Sequence, residues 1–130
     1  MVEVPSAAIM AEGLLAEADL LSVGTNGPTQ YALAMGRLNP ALAPYVYAFH
    51  PAVLRLIARA VEGARAHGRW VGVCRGAASV ALAGPVLIGM GVSELSAPAA
   101  VIPRVKTFVR KLDMPACKAG AGQHRRRGGD

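Results

Sequence analysis

The sequence predicts an α/β fold with a parallel sheet, built from four strand–helix units in the order βαβαβαβα. Two features predict it. Short apolar runs of four or five residues recur along the chain, each followed by a turn signal and then by apolar residues at helical spacing. Apolar residues make up 53% of the 130 residues and aromatics only 5%, so Ala, Val, Leu and Gly do the packing. That composition suits close helix–strand layers and excludes a disordered chain.

The elements follow in order. Residues 1–4 form the first strand. Residues 5–18 form a helix, with Ser6 as a cap and Pro5 tolerated at its start. Residues 20–23 are the second strand, and the run Gly24, Thr25, Asn26, Gly27, Pro28 is a dense turn signal. A short helix covers residues 29–35. Residues 36–50, with Pro40 and Pro44, read as a loop. The clearest helix spans residues 51–67, where Val53, Leu54, Ile57, Ala58 and Val61 recur on one face before Gly68 ends it. Residues 70–74 are the third strand. Residues 77–89 are helical with a break near Gly84 and Pro85, residues 92–95 are the fourth strand, and residues 99–111 are a further helix. Beyond Met114 at most a short helix is expected, then disorder. The domain boundary falls at residue 115, with residues 116–130 as a basic, disordered tail.

Strands alternating with helices imply right-handed crossovers in a parallel sheet. Periodicity alone leaves two architectures open, an open sheet or half of an eight-stranded barrel. A first strand that begins at residue 1, as if cut from a longer chain, favours the half barrel. No phosphate loop of the GxxxxGK[ST] type and no GxGxxG is present.

The formal charge of +6 lies at one end. Residues 1–103 carry six basic and six acidic side chains, and residues 104–130 carry eight basic and two acidic. The run Arg125, Arg126, Arg127 stands among Gly residues without aromatics, so a solvated end is expected and no specific nucleic-acid binding. Cys74 and Cys117 form no CxxC pair and no metal cluster, which suits a reducing cytoplasm. No secretory signal is visible. The uncharged run from Gly76 to Ser93 contains Pro85 and four glycines, which break it, so no membrane span is expected.

In parallel α/β folds, ligands bind beyond the carboxyl ends of the strands. Those ends carry Glu3, Thr25 with Asn26, Cys74 and Ser96. Glu3 is either a metal ligand or a solvated terminal carboxylate. Asn26 is either a turn former or a donor to an anion. Cys74 is either an inert buried thiol or, beside Arg75, a reactive one. Arg37, in a loop, is either solvated or a bidentate anion contact.

Several segments together resemble one family. They are residues 1–8, residues 22–26 with Thr29, Gln30 and Tyr31, residues 50–57, residues 68–74, residues 91–96 and residues 102–106. Their order and spacing resemble the phosphoenolpyruvate-binding barrel of bacterial phosphoenolpyruvate–protein phosphotransferase, enzyme I of the sugar phosphotransferase system. Residues 112–117 look most like the fused multiphosphoryl transfer proteins. The resemblance implies the C-terminal half of a (β/α)8 TIM barrel that binds phosphoenolpyruvate and magnesium. It also implies two partners, a phosphohistidine domain that takes the phosphoryl group and a histidine-containing carrier protein. By the same resemblance Glu3 is a magnesium ligand, Asn26 and Arg37 hold the substrate's phosphate, and Cys74 is the acid that protonates the enolate.

The departures fall in the site loops. Gly27 stands where the family has the second magnesium carboxylate, Gly36 replaces an Asp, Arg75 and Gly76 replace Gly-Glu, and Val80 replaces another Asp. Each lost charge-assisted contact is worth roughly 1.5–3 kcal/mol, against about 4–8 kcal/mol for millimolar-to-micromolar affinity. A phosphotransferase fragment inactive alone is therefore expected, or else a non-catalytic remnant serving as an interaction or dimerisation module. The open edges of a half barrel predict self-association. Restoration of magnesium-dependent binding by Gly27→Asp would separate the two readings.

Overall fold

The computed structural model describes residues 1–126. The sheet has three parallel strands in sequential order, β1 (Leu20–Gly24), β2 (Trp70–Cys74) and β3 (Glu94–Ser96). The first expected strand is reduced to a single parallel bridge, Val2 with Val23, closed by Val2 N–H to the Ser22 carbonyl (2.8 Å) and Gly24 N–H to the Val2 carbonyl (3.0 Å). Val2 therefore occupies a fourth position beside β1, and the spatial order follows the chain order.

The helices are α1 (Pro5–Ile9), α2 (Ala11–Leu15), α3 (Asn26–Leu33), α4 (Pro51–Ala66), α5 (Gly84–Met90), α6 (Ile102–Val109) and α7 (Met114–Arg126). One face of the sheet is core: Val2, Leu21, Val23, Val71 and Val73 are buried in one cluster with Val53, Leu54, Ile57, Ala60, Val61 and Ala64 of α4. The alternate residues Met1, Glu3, Leu20, Trp70, Glu94 and Ser96 are exposed. A Cβ on Gly72 would lie 3.5 Å from the Trp70 ring and 3.4 Å from Glu94 Cβ, which places both side chains over β2 on that second face. None of the described helices is long and apolar enough to cross a membrane.

Besides the first strand and small shifts in the bounds of α3 and β3, the structure departs from the sequence reading in four places. The helix expected over residues 5–18 is two short ones, broken at Met10 (φ −87°, ψ 13°), and Ser6 does not cap it; Val4 is the N-cap, without a side-chain bond. The break lets α2 lie on α4, where Gly63 gives it room: a Cβ there would be 2.7 Å from Glu12 N. Pro85 starts α5 instead of breaking a helix, because the first turn needs no proline N–H; residues 77–83 are two 3-10 turns. Residues 99–111 divide into a 3-10 turn at Ala99–Val101 and α6.

The fourth departure is at the C-terminal end. The stretch expected to be a disordered tail forms α7 through Arg126, and Arg127 lies outside the described residues. Asp113 Oδ2 accepts from Ala116 N–H (3.0 Å) and caps the helix start. Cys117 and Ala121 are buried, and the Cys117 carbonyl occupies the space a Cβ on Gly89 would need. Close approach of α7 to α5 therefore depends on the missing side chain. Gly89→Ala is expected to cost about 1–3 kcal/mol, as overpacking does, and to raise the rate at which a thiol reagent labels Cys117. An unchanged labelling rate would show that α7 is not docked through Gly89.

Candidate functional site

Parallel register brings the strand ends level. Gly24 pairs with Cys74, and Cys74 with Ser96. Thr25 then latches the first two strands. It is fully buried; its Oγ1 donates to the Cys74 carbonyl (3.4 Å) and accepts from Ala77 N–H (3.2 Å), while its own carbonyl accepts from Thr29 Oγ1 (2.6 Å). One hydroxyl thus fixes the end of β1, the end of β2 and the turn that follows β2. The sequence places Thr25 at this edge but carries no sign of the latch, since a buried threonine and a turn threonine read alike.

Asn26 begins α3 and is half-buried. Its Oδ1 faces Gly76, where a Cβ would come within 3.2 Å. The Asn26 carbonyl accepts from Gln30 Nε2 (3.3 Å), and Gln30 Oε1 accepts from Arg37 N–H (3.1 Å). Asn26, Gln30 and Arg37 are strung together in this way. With Tyr47, Phe49 and Val80 they line a cavity of about 380 Å³. Gln30 is a site residue that sequence reasoning passed over, because its partner Arg37 is seven residues away across a helix end.

Glu3 and Cys74 lie at the same sheet edge but are not among the residues lining that cavity. The Glu3 carboxylate sits over Gly24, where a Cβ would approach Oε1 to 2.8 Å. Cys74 is a free, buried thiol between Gly24 and Ser96. The next residue, Arg75, has φ +68°, a left-handed conformation that costs a non-glycine residue about 1–2 kcal/mol. It stands where the resemblance implies glycine, so the departure strains the backbone beside the thiol.

The residues present do not fit a resident magnesium ion. Among the described residues no group of three His, Cys, Asp or Glu side chains is gathered. At the position of the second carboxylate, Gly27 is packed so close that a Cβ would overlap the Glu3 carbonyl oxygen. With glycine there, the start of α3 packs directly onto the Glu3 backbone.

Asn26 and Arg37 thus line one cavity at the carboxyl edge of a parallel sheet, the edge where parallel α/β folds take their ligands. Comparison with known proteins gives the family. Residues 1–114 match the family described as PEP-utilising enzyme, PEP-binding domain. The chain is 47% identical over 123 residues to a multiphosphoryl transfer protein of Xanthomonas campestris pv. campestris, which covers 95% of this chain and 15% of that protein. It is 46% identical over 114 residues to a multiphosphoryl transfer protein of Rhodobacter capsulatus (88% and 14%), and 40% identical over 118 residues to a phosphoenolpyruvate-protein phosphotransferase of Haemophilus influenzae (91% and 20%). This chain belongs to the PEP-utilising enzyme family and corresponds to its PEP-binding domain. It spans a fifth or less of the length of these relatives.

Gly27→Asp is accordingly expected to lower stability by about 1–3 kcal/mol in urea unfolding, with no gain in magnesium binding. A variant as stable as the parent that also binds magnesium would show that the Glu3 backbone yields and that the metal pair can be rebuilt.

Proposed function

We propose that this chain is the phosphoenolpyruvate-binding half barrel of a phosphoenolpyruvate–protein phosphotransferase, and that it binds its ligand without turning it over alone. The observation that carries this is the shared cavity of Asn26 and Arg37, in a chain 36–40% identical to phosphoenolpyruvate-protein phosphotransferases over most of its length. Asn26 and Arg37 hold the phosphate, Cys74 is the proton donor to the ligand's carbon end, and Glu3 is what remains of the metal-binding pair. The sequential order of Val2, β1, β2 and β3 supports four neighbouring positions of a (β/α)8 barrel. Turnover then calls for the other strands, a phosphohistidine domain and a histidine-containing carrier protein, in the cytoplasm, where the free thiols of Cys74 and Cys117 stay reduced.

Inactivity of the chain alone follows from charge. Phosphoryl transfer depends on positioning and on neutralising the phosphoryl oxygens. Among the described residues Arg37 is the one charged residue lining the cavity, and Gly27 stands at the position that the resemblance gives to a second metal carboxylate.

A second reading has its own observation. Parallel sheets are normally covered on both faces, yet Glu3, Trp70, Glu94 and Ser96 leave one face of this sheet exposed, and β3 is an edge strand. A non-catalytic module that associates through that face, with itself or with a partner, is consistent with this arrangement.

Calorimetry separates the two. Phosphoenolpyruvate is expected to bind with roughly millimolar affinity, about −4 kcal/mol, unchanged by magnesium, and Arg37→Ala is expected to weaken it about tenfold or more, since a hydrogen bond to a charged group contributes about 1.5–3 kcal/mol. A folded chain that releases no heat with phosphoenolpyruvate would leave the interaction module.

A further inference from the structure

The cavity at Asn26 and Arg37 does not end there. A second cavity of about 320 Å³ shares Phe49 and Val80 with it and is otherwise walled by Leu54, Leu82, Ala83 and Val86. No charged side chain lines this second cavity. The polar residues of the first stand side by side, because the Gln30 amide donates to the Asn26 main-chain carbonyl and accepts from the Arg37 main-chain N–H. Past them the walls turn apolar. Val80 is 45% and Leu82 79% exposed, so the chain itself does not cover this surface.

Such a groove suits a ligand with two unlike ends. A guanidinium and two side-chain amides favour an anionic head. Phe49, Val80, Leu82 and Val86 favour an apolar body that removes their surface from water. Phosphoenolpyruvate has two anionic groups on three carbons and nothing to lay over Val80. The replacement of an acidic side chain by Val80 in the resembling pattern turns the wall between the two cavities from one that repels an apolar tail into one that accepts it.

We propose that this edge takes an anion, phosphate or carboxylate, carrying an aryl or alkyl tail, and prefers it to phosphoenolpyruvate. The head lies at Arg37 and the tail crosses Val80 into the Leu82–Val86 cavity. Val80 is then the specificity-determining residue. The proposal rests on the reading of this edge as an anion site.

The test is an amide NMR titration of the full chain with inorganic phosphate, phosphoenolpyruvate, phenyl phosphate and phenylpropionate. The better aryl anion is expected to bind at least about tenfold more tightly than inorganic phosphate, the scale of a small apolar group in a fitting pocket. It is expected to shift the Phe49, Val80 and Leu82 amides together with Arg37. Which aryl anion binds more tightly identifies the head group. Val80→Asp, at a half-exposed position where folding is checked by circular dichroism, is expected to bring the ratio of aryl to bare anion close to one. Binding of phosphoenolpyruvate without any advantage for the aryl anions would overturn this inference and leave the proposed function standing. Silence of the Arg37 amide toward all four probes would overturn both.

Discussion

The buried hydroxyl of Thr25 is where the sheet becomes a site. Parallel strands end level with one another, but nothing in the ladder itself fixes the turns that leave them. Thr25 donates to the last carbonyl of β2 and accepts from the Ala77 amide, three residues further along the turn. Removing a buried partner of this kind leaves an unsatisfied group at a cost of about 1–3 kcal/mol. Asn26 begins α3 directly after the latch, and Gly76 directly precedes Ala77, so the cavity's polar wall is hung from this one contact.

Two backbone features shape the same edge. Glycine at position 27 allows the start of α3 to close onto the Glu3 carbonyl, and arginine at position 75 holds a left-handed conformation that favours glycine. The packing segments are intact, with Val2, Val23, Val73 and Ile57 buried to within 1%. The core is therefore closely packed right up to the edge where Gly27 and Arg75 stand. The exposed second face of the sheet is a separate matter. It follows from the sequential strand order, because right-handed crossovers between neighbouring parallel strands place their helices on one side.

Much of the fold was legible in the sequence. Strand β2 and helix α4 read cleanly because their apolar residues have an unambiguous period and end at Gly68 and at Arg75. The first strand read as four residues and is one bridged residue, since period cannot tell a strand from an extended arm with one partner. Pro85 read as a break and is a start, because proline marks both. The helix α7 read as short at most, then disorder, because its composition is polar and glycine-rich; its signals were the Asp113 cap before Pro115 and the complementary Gly89, and the second is visible only in three dimensions. The sequence also placed Glu3, Asn26 and Cys74 at one edge and Arg37 in a loop. It did not reveal that Asn26 and Arg37 share a cavity which Glu3 and Cys74 do not line. That separation depends on which way each side chain leaves the strand end, and motif spacing does not carry it.

Native-state amide hydrogen exchange on the intact chain tests the central claim most directly, namely that the site edge is part of the cooperative core. The amides of Gly24, Thr25 and Ala77 bond to Val2, Cys74 and Thr25 respectively. The account predicts that they exchange with the slow set that includes Val71 and Val73, and that denaturant releases them together. Exchange of Gly24, Thr25 and Ala77 at the rate of residues 36–50, with Val71 and Val73 still protected, would contradict it.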